Sequence, residues 1–400
     1  MVIKYSGALI KITKLIYFFT IVFSFSGLFF FENGKTLLSN FFVISIIMGG
    51  VSYAVGYRDV GLNDRRLLWL FIAYAAMIFL NRMIHGDQYG VMRALIYVAL
   101  FGLLMPRSDE MVKAFRIGTI LGGVGLGFIA IWQEFNGVMR IEGFTHPILF
   151  AQACLSLFVI NFFFFIKYKE RLVVKLSLLF SMILSLWALY LSQSRGVWVA
   201  IIILVGLYLA VKALKKPKKY TLIILLMMAG AAITIPNSNI IKSRINDSVG
   251  DITYAQSGYY GTSWGLRMVA WKSAWLGFMD HPILGIGTNN FDELKKQQVE
   301  KGLVSPLVLD PALVHAHNQY MQSLLIRGLV GTMMLMVFLL YPFFLSSENR
   351  FISPISFICL AFAIYGLSDV PFEHQNVLYI YAMSLLMILF SNEIEKGRVS

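Results

Sequence analysis

Twelve apolar runs occupy most of this 400-residue chain. They fall at roughly 12–31, 36–56, 67–81, 90–105, 114–133, 147–166, 172–191, 196–213, 220–236, 315–341, 351–368 and 376–391, the third and fourth being short. A helix needs about 20 mostly apolar residues to cross the hydrocarbon layer. The pattern therefore predicts an all-α polytopic membrane protein with about 12 transmembrane helices. Composition agrees: 58% of the residues are hydrophobic and only 14% are charged, where a soluble domain carries about 25%. Mean hydropathy is +0.72. These values exclude a large soluble core. Cys154 and Cys359 both sit inside apolar runs and form no CxxC or disulfide pattern.

The net charge of +13 has a topological reading before any other, because cytoplasmic loops of membrane proteins are rich in Lys and Arg. With the N-terminus in the cytoplasm, the loops on that side carry Arg58, Arg65 and Arg66, then Arg107 and Lys113, then Lys167, Lys169 and Arg171, then the stretch KALKKPKKY, then Arg350. The short loops on the other side carry Lys35, Arg82 and Arg93, Arg140, and Arg195, and none in 369–375. Most of the positive charge is thus spent on orientation, and no nucleic acid partner is expected. Lys4, Lys11 and Lys14 precede the first run, with no small-residue cleavage site after it, so that run is expected to be a retained first helix.

Three regions follow: helices one to nine in 1–236, a large outer loop in 237–314, and helices ten to twelve in 315–400. A loop longer than about 15 residues usually has a function or structure of its own. In SWGLRMVAWKSAWLGFMDHP, Trp264, Met268, Trp271, Trp275 and Phe278 recur at helical spacing. This predicts an aromatic-faced helix at the membrane interface, where Trp is favoured. GTNNFDELKKQQVEKG predicts a second, polar helix capped by Thr288 or Asn289.

Ionisable residues at a membrane are costly and mark function. On the outer side Arg195 sits in YLSQSRGVWVA with almost no loop to hold it, and Arg267 begins the aromatic-faced helix. Each is either an interfacial or solvated side chain or an anion site, since the guanidinium fork suits phosphate. Arg140 and His146 flank the entry to the sixth run in RIEGFTHPILFAQ. His315 and His317 stand before the tenth run, followed by Asn318 and Gln319, which can add hydrogen bonds. At a spacing of two they would point about 200° apart on a helix, unlike the HExxH pair. Asp310 is the only acid close in sequence, so no metal is expected. Eleven helical steps lead from His317 to Gly328, which returns to within about 20° of one face. Gly328 and Gly331 would then form a small-residue stripe beneath His317.

A neutral base, several arginines and no nucleotide-binding glycine loop suit a lipid-linked phosphate or diphosphate donor. Arginines would stabilise the leaving anion, and a histidine could take the proton of an attacking hydroxyl. Four stretches then carry a resemblance: RIEGFTHPILFAQ, SQSRG, DHPILGIGTNNF and HAHNQY…RG, the last with His317 and Gly328 in a His-x10-Gly pattern. In that order the chain resembles the O-antigen ligase and polymerase superfamily of bacterial inner-membrane proteins. The resemblance implies a GT-C-type helical bundle with a periplasmic lid, and Arg195, Arg267 and His317 as essential residues. It also implies transfer of polysaccharide from undecaprenyl diphosphate to the lipid A-core oligosaccharide, without cofactor or metal. His315 could share the role of His317. The expected partners are this donor, this acceptor and membrane lipid.

Within the superfamily a polymerase and a protein O-oligosaccharyltransferase remain open on the same donor. A transporter would place its charges at mid-membrane. Arg327, in the middle of the tenth run, is the main charge that does so and has no assigned role. A scaffold would leave the outer loop unexplained.

Overall fold

Every apolar run forms a helix. The computed structural model describes residues 2–167, 171–346 and 350–399, with side chains from Gly7 to Gly397. Lys169 and the side chain of Lys4, both counted among the cations above, lie outside the described residues. In chain order the helices are α1 (Val2–Phe25), α2 (Gly34–Ala54), α3 (Arg66–His85), α4 (Tyr89–Leu104), α5 (Asp109–Phe135), α6 (Pro147–Lys167), α7 (Leu172–Leu191), α8 (Arg195–Lys215) and α9 (Pro217–Asn237). They continue with α10 (Asn239–Gln256), α11 (Ser263–Asp280), α12 (Phe291–Glu300), α13 (Gln319–Leu345), α14 (Pro354–Tyr365) and α15 (Gln375–Val399). No strand is formed among the described residues; a single bridge joins Val60 to Pro106.

Ten of these helices are long and apolar enough to cross a membrane, while α4 and α14 are shorter. The run 351–368, expected to span, yields only the 12 residues of α14, about 18 Å of rise against about 30 Å of hydrocarbon. It is almost wholly buried among other helices. The chain then turns through Ser368, Asp369 and Glu373 inside the protein, the last two buried. Shortening α14 makes room for a polar segment that a full-length span would have displaced.

The core follows α15, whose apolar residues from Val377 to Phe390 are all buried except the half-buried Leu389. A helix apolar on all sides belongs in the interior. Close approach elsewhere rests on small residues. A side chain at Gly122 of α5 would stand 2.0 Å from the Phe25 carbonyl oxygen of α1, and one at Gly123 would stand 2.2 Å from Ser181 Oγ of α7. Asn161 of α6 joins the same packing by donating to Thr119 O at 3.1 Å and Ser181 Oγ at 3.0 Å. Hydrogen bonds of this kind are the glue available where water is absent. α9 buries no residue; its Leu222, Leu225, Leu226 and Met228 are exposed, as lipid contact requires.

The loops rich in Lys and Arg gather at one end of the bundle. There Arg107 pairs with Glu393 at 2.8 Å and Lys167 with Glu395 at 3.0 Å. The opposite end carries α10, α11 and α12. The sequence predicts α11, and Thr262 caps it by accepting from Gly265 N. Its buried face is made of small residues, Gly265, Val269, Ala270, Ser273, Ala274 and Gly277, while Trp264, Met268 and Trp275 are exposed. α12 also forms, but neither Thr288 nor Asn289 caps it. The N-cap is Asn290, with no side-chain cap bond. Thr288 Oγ1 instead donates to Asp87 Oδ1 at 3.0 Å. α10 was not anticipated, because its sequence is polar and it buries no residue.

Candidate active site

The tenth run does not form one continuous helix. His317 lies before α13 with φ +47°, and Gly328 breaks the helix with φ 61°, ψ −161°. The expected helical phase between His317 and Gly328 is therefore lost. The reason is a second chain segment. Residues 281–287, the HPILGIG stretch, enter the break and pair with it. Ile286 N donates to Leu325 O and Gly287 N to Ile326 O, both at 2.9 Å, while Leu329 N donates to Pro282 O at 2.8 Å and Val330 N to Ile283 O at 3.2 Å. Two carbonyls and two amides released by the break are thus satisfied, which a buried backbone demands.

Gly328 occupies a backbone region open in practice only to glycine. A side chain there would stand 2.4 Å from the Ile283 carbonyl. Gly328→Ala is expected to cost about 1–3 kcal/mol from backbone strain alone, with overlap adding more. The check is the melting temperature of the detergent-solubilised protein; an unchanged value would count against this account of the break.

Arg327, beside the break, gains the role that the sequence withheld. Its guanidinium is fully buried and holds two carboxylates. Nε and Nη2 donate to Asp87 at 2.7 and 3.0 Å, and Nη1 and Nη2 donate to Glu373 at 2.7 and 2.8 Å. Bidentate geometry on both sides uses the guanidinium fork. Gln319 Nε2 donates to Glu373 Oε1 at 3.1 Å, and Gln319 Oε1 accepts from Phe372 N at 2.9 Å. The α3–α4 turn, α13 and the segment before α15 are locked together directly behind the site.

Four arginines line a cavity of about 640 Å³ at this end: Arg140, Arg195, Arg244 and Arg267. Local backbone sets each. Gln193, with φ +54°, turns the chain so that Arg195 begins α8, and Gly196 leaves room for Ser368, whose Oγ would be 2.2 Å from a side chain there. Arg195 Nη1 donates to Ser248 Oγ at 2.9 Å and to Asp251 Oδ2 at 3.0 Å. Arg244 donates to Gln193 Oε1 and pairs with Asp247 at 3.0 Å. These contacts fasten α10 over the cavity.

Arg140 Nε donates to Ser192 O at 3.1 Å. Burial, then the fields of Arg244, Arg195 and Arg267, bring its guanidinium down to about 10. Arg267 has no hydrogen-bond or ion-pair partner among the described residues. Burial depresses its pKa, opposed by Asp369 and assisted by Arg195. A half-buried guanidinium with no hydrogen-bonded or ion-paired partner among the described residues, near Asp369 and Asp251 and among three other arginines, is a site that can take an anion.

The histidines stand beside the arginines. The His315 and His317 rings are 4.1 Å apart between centroids, not turned away from each other as a helix would hold them, and His374 is 5.7 Å from His315. His315 Nδ1 accepts from His317 N at 3.2 Å, so its proton belongs on Nε2. Burial, with His317 and His374 nearby, takes its pKa down to about 2. His317 Nε2 lies 3.2 Å from Ala312 O. A carbonyl only accepts, so Nε2 carries the proton and Nδ1 keeps a lone pair. That Nδ1 is buried and has no partner. Burial lowers the His317 pKa, the Ala312 carbonyl opposes, and Arg267 adds to the fall. The ring is thus held neutral.

His315, Asp369 and His374 bring one donor atom each within 4.8 Å of one another. Judging acids by sequence distance missed Asp369, which arrives from the turn after α14. The donor set carries a single carboxylate, and Arg267 faces it. Neighbouring positive charge makes this a poor host for a divalent cation.

The structure brings Arg140, Arg195, Arg267, His315 and His317 together, with His146 lining an adjoining cavity. Asn318 turns into the protein: its Oδ1 caps α13 through Tyr320 N and Met321 N, and its Nδ2 donates to Leu367 O at 3.3 Å. Gln319 is engaged as described above. Sequence reasoning missed Arg244, Asp369 and His374. Ser238 as an N-cap was a legible signal for α10, and Asp369 and His374 met the same outer-face criterion that selected Arg195.

The fold and site define a class: an all-α polytopic membrane protein with an arginine-lined chamber at one end of its bundle and a row of histidines beside it. The O-antigen ligase family (Wzy_C) matches residues 180–336. The chain is 29% identical over 302 residues to an uncharacterised protein of Haemophilus influenzae, covering 72% of this chain and 74% of that one. It is 24% identical over 208 residues to an O-antigen ligase of Escherichia coli, covering 52% of this chain and 49% of that one. These matches support membership of the O-antigen ligase superfamily.

Proposed function

We propose that this protein is an O-antigen ligase of the bacterial inner membrane, with both termini in the cytoplasm and the chamber facing the periplasm. It transfers O-antigen polysaccharide from undecaprenyl diphosphate to a sugar hydroxyl of the lipid A-core oligosaccharide. The observation that carries the reading is Arg267, half-buried and unpaired beside Arg140, Arg195 and Arg244 in one cavity. Superfamily membership and the similarity to the E. coli ligase support the same donor class.

Arg140, Arg195 and Arg267 hold the diphosphate and stabilise the charge that grows on it. His317 Nδ1 takes the proton from the acceptor hydroxyl. The acceptor oxygen bonds to the anomeric carbon as the bond from that carbon to the diphosphate oxygen breaks, with inversion. The lone-pair assignment supports His317 as base over His315, whose Nδ1 is already engaged.

The test is complementation in two bacterial hosts, one lacking its O-antigen ligase and one its polymerase, with matching donor and core. A core-attached ladder restored only in the ligase-deficient host is the expected result. Restoration of chain length only in the polymerase-deficient host assigns a lipid-linked repeat as acceptor and overturns the ligase reading. In the same assay Arg267→Lys keeps the charge but loses the fork. Loss of one oxyanion-stabilising donor costs roughly 10²–10³-fold, so the lysine variant is expected to fall by about tenfold or more. Full activity in it would show that charge alone suffices.

A further inference from the structure

A second cavity, of about 420 Å³, opens beside the arginine chamber and shares none of its lining residues. Its walls come from four separate turns at the same end of the bundle: Glu32 and Lys35 before and within α2, Gln88 between α3 and α4, Thr145 between α5 and α6, and Asn376 at the start of α15. His146 and His374 complete it. The volume lies within the range of small-molecule sites, about 300–1,000 Å³.

We infer that this cavity receives the acceptor sugar of the proposed transfer, an inference that rests on the ligase reading and deepens it. Two observations carry it. The first is position. The turn after α14 partitions the two spaces: Ser368 lines the arginine chamber, while Glu373 and His374 line the second cavity. From His374 the rings continue to His315 at 5.7 Å and from there to His317 at 4.1 Å. The histidine row therefore stands between a cationic space and a second space. An inverting displacement needs this separation, because nucleophile and leaving group approach the anomeric carbon from opposite sides.

The second observation is chemistry. No arginine lines the second cavity, so it lacks the guanidinium forks that suit a diphosphate, and its one ammonium is accompanied by two carboxylates. It presents two carboxylates, an ammonium, two imidazoles, three amides and a hydroxyl, together with Phe144, Val91 and Leu149. Sugar hydroxyls are both donors and acceptors, and the ring's C–H face is apolar. Such a mixture serves both. Among the described residues, the side chains of Glu32, Lys35 and Asn376 have no hydrogen-bond or ion-pair partner, so their capacity is unspent.

The test uses the purified full chain in lipid vesicles, with undecaprenyl-diphosphate-linked donor and lipid A-core acceptor varied independently. Asn376→Trp fills the cavity. A gentler variant, Glu32→Gln with Lys35→Gln, changes two exposed side chains and leaves packing alone. Both are expected to raise the acceptor KM, the first by about tenfold or more, with the donor KM unchanged. A rise in donor KM alone assigns the cavity to the donor glycan and overturns the inference, as do unchanged constants in the double variant. No transfer by the unaltered protein with either substrate overturns the ligase reading itself, and this inference with it.

Discussion

His317→Ala is expected to abolish transfer while leaving the protein folded in the membrane. The side chain makes one hydrogen bond, to the Ala312 carbonyl, and belongs to no hydrophobic cluster, so its removal takes little from stability. Losing a general base costs roughly 10²–10⁴-fold in rate. Because the backbone at residue 317 is left-handed, with φ +47°, His317→Asn is the better control. Asparagine tolerates that conformation and lacks a basic ring nitrogen. Both variants should be inactive and normally abundant. An active His317→Asn protein would remove the base assignment.

The pH profile adds a second check. Burial holds the His317 pKa below its ordinary 6.5, so the neutral ring persists as pH falls through that value. The acid limb of kcat/KM, which reports the free enzyme, is expected below pH 6.5, with activity retained at neutral pH. A limb above that value would place the proton on a different group.

Arg327→Ala should have the largest effect on the protein itself. It strips the cation from two buried carboxylates, Asp87 and Glu373, which Arg327 contacts at 2.7 Å each. Breaking a buried pair from one side costs about 3–5 kcal/mol, and here two acids lose their partner together. The expected outcome is a sharp drop in melting temperature and in membrane abundance. The triple variant with Asp87→Asn and Glu373→Gln removes the orphaned charges as well and should recover part of the loss. If the single variant melts with the unaltered protein, the network is not the lock described here.

The helices were legible because hydrocarbon imposes a length, and twelve runs met or approached it. What escaped was set by contacts distant in sequence. The α13 break could not be read from residues 315–341, since residues 281–287 cause it. Arg327 looked anomalous because Asp87 and Glu373 are far away in the chain. The same distance hid Asp369 from the histidines. Arg195, Arg267 and His317 were legible for the opposite reason: ionisable side chains at the end of an apolar run or at the start of an aromatic-faced helix are conspicuous, and Arg267 lies near both of the others. Helix α10 shows the limit, for a polar helix that buries nothing leaves no periodic trace.

The splice between residues 281–287 and α13 bears on how such a protein can be rebuilt. A surface loop is ordinarily an exchangeable part, tolerant of replacement because its backbone answers to water. This one supplies backbone partners to a membrane helix, so a chimaera that imports a foreign outer segment must import the matching break with it. Specificity engineered by swapping residues 237–314 alone would leave three peptide groups at the middle of α13 unanswered, Leu325 O, Leu329 N and Val330 N, while Ile326 O would keep only Asn81 Nδ2. The transferable unit runs from the outer segment through Gly328, and crosses the boundary that hydropathy draws between them.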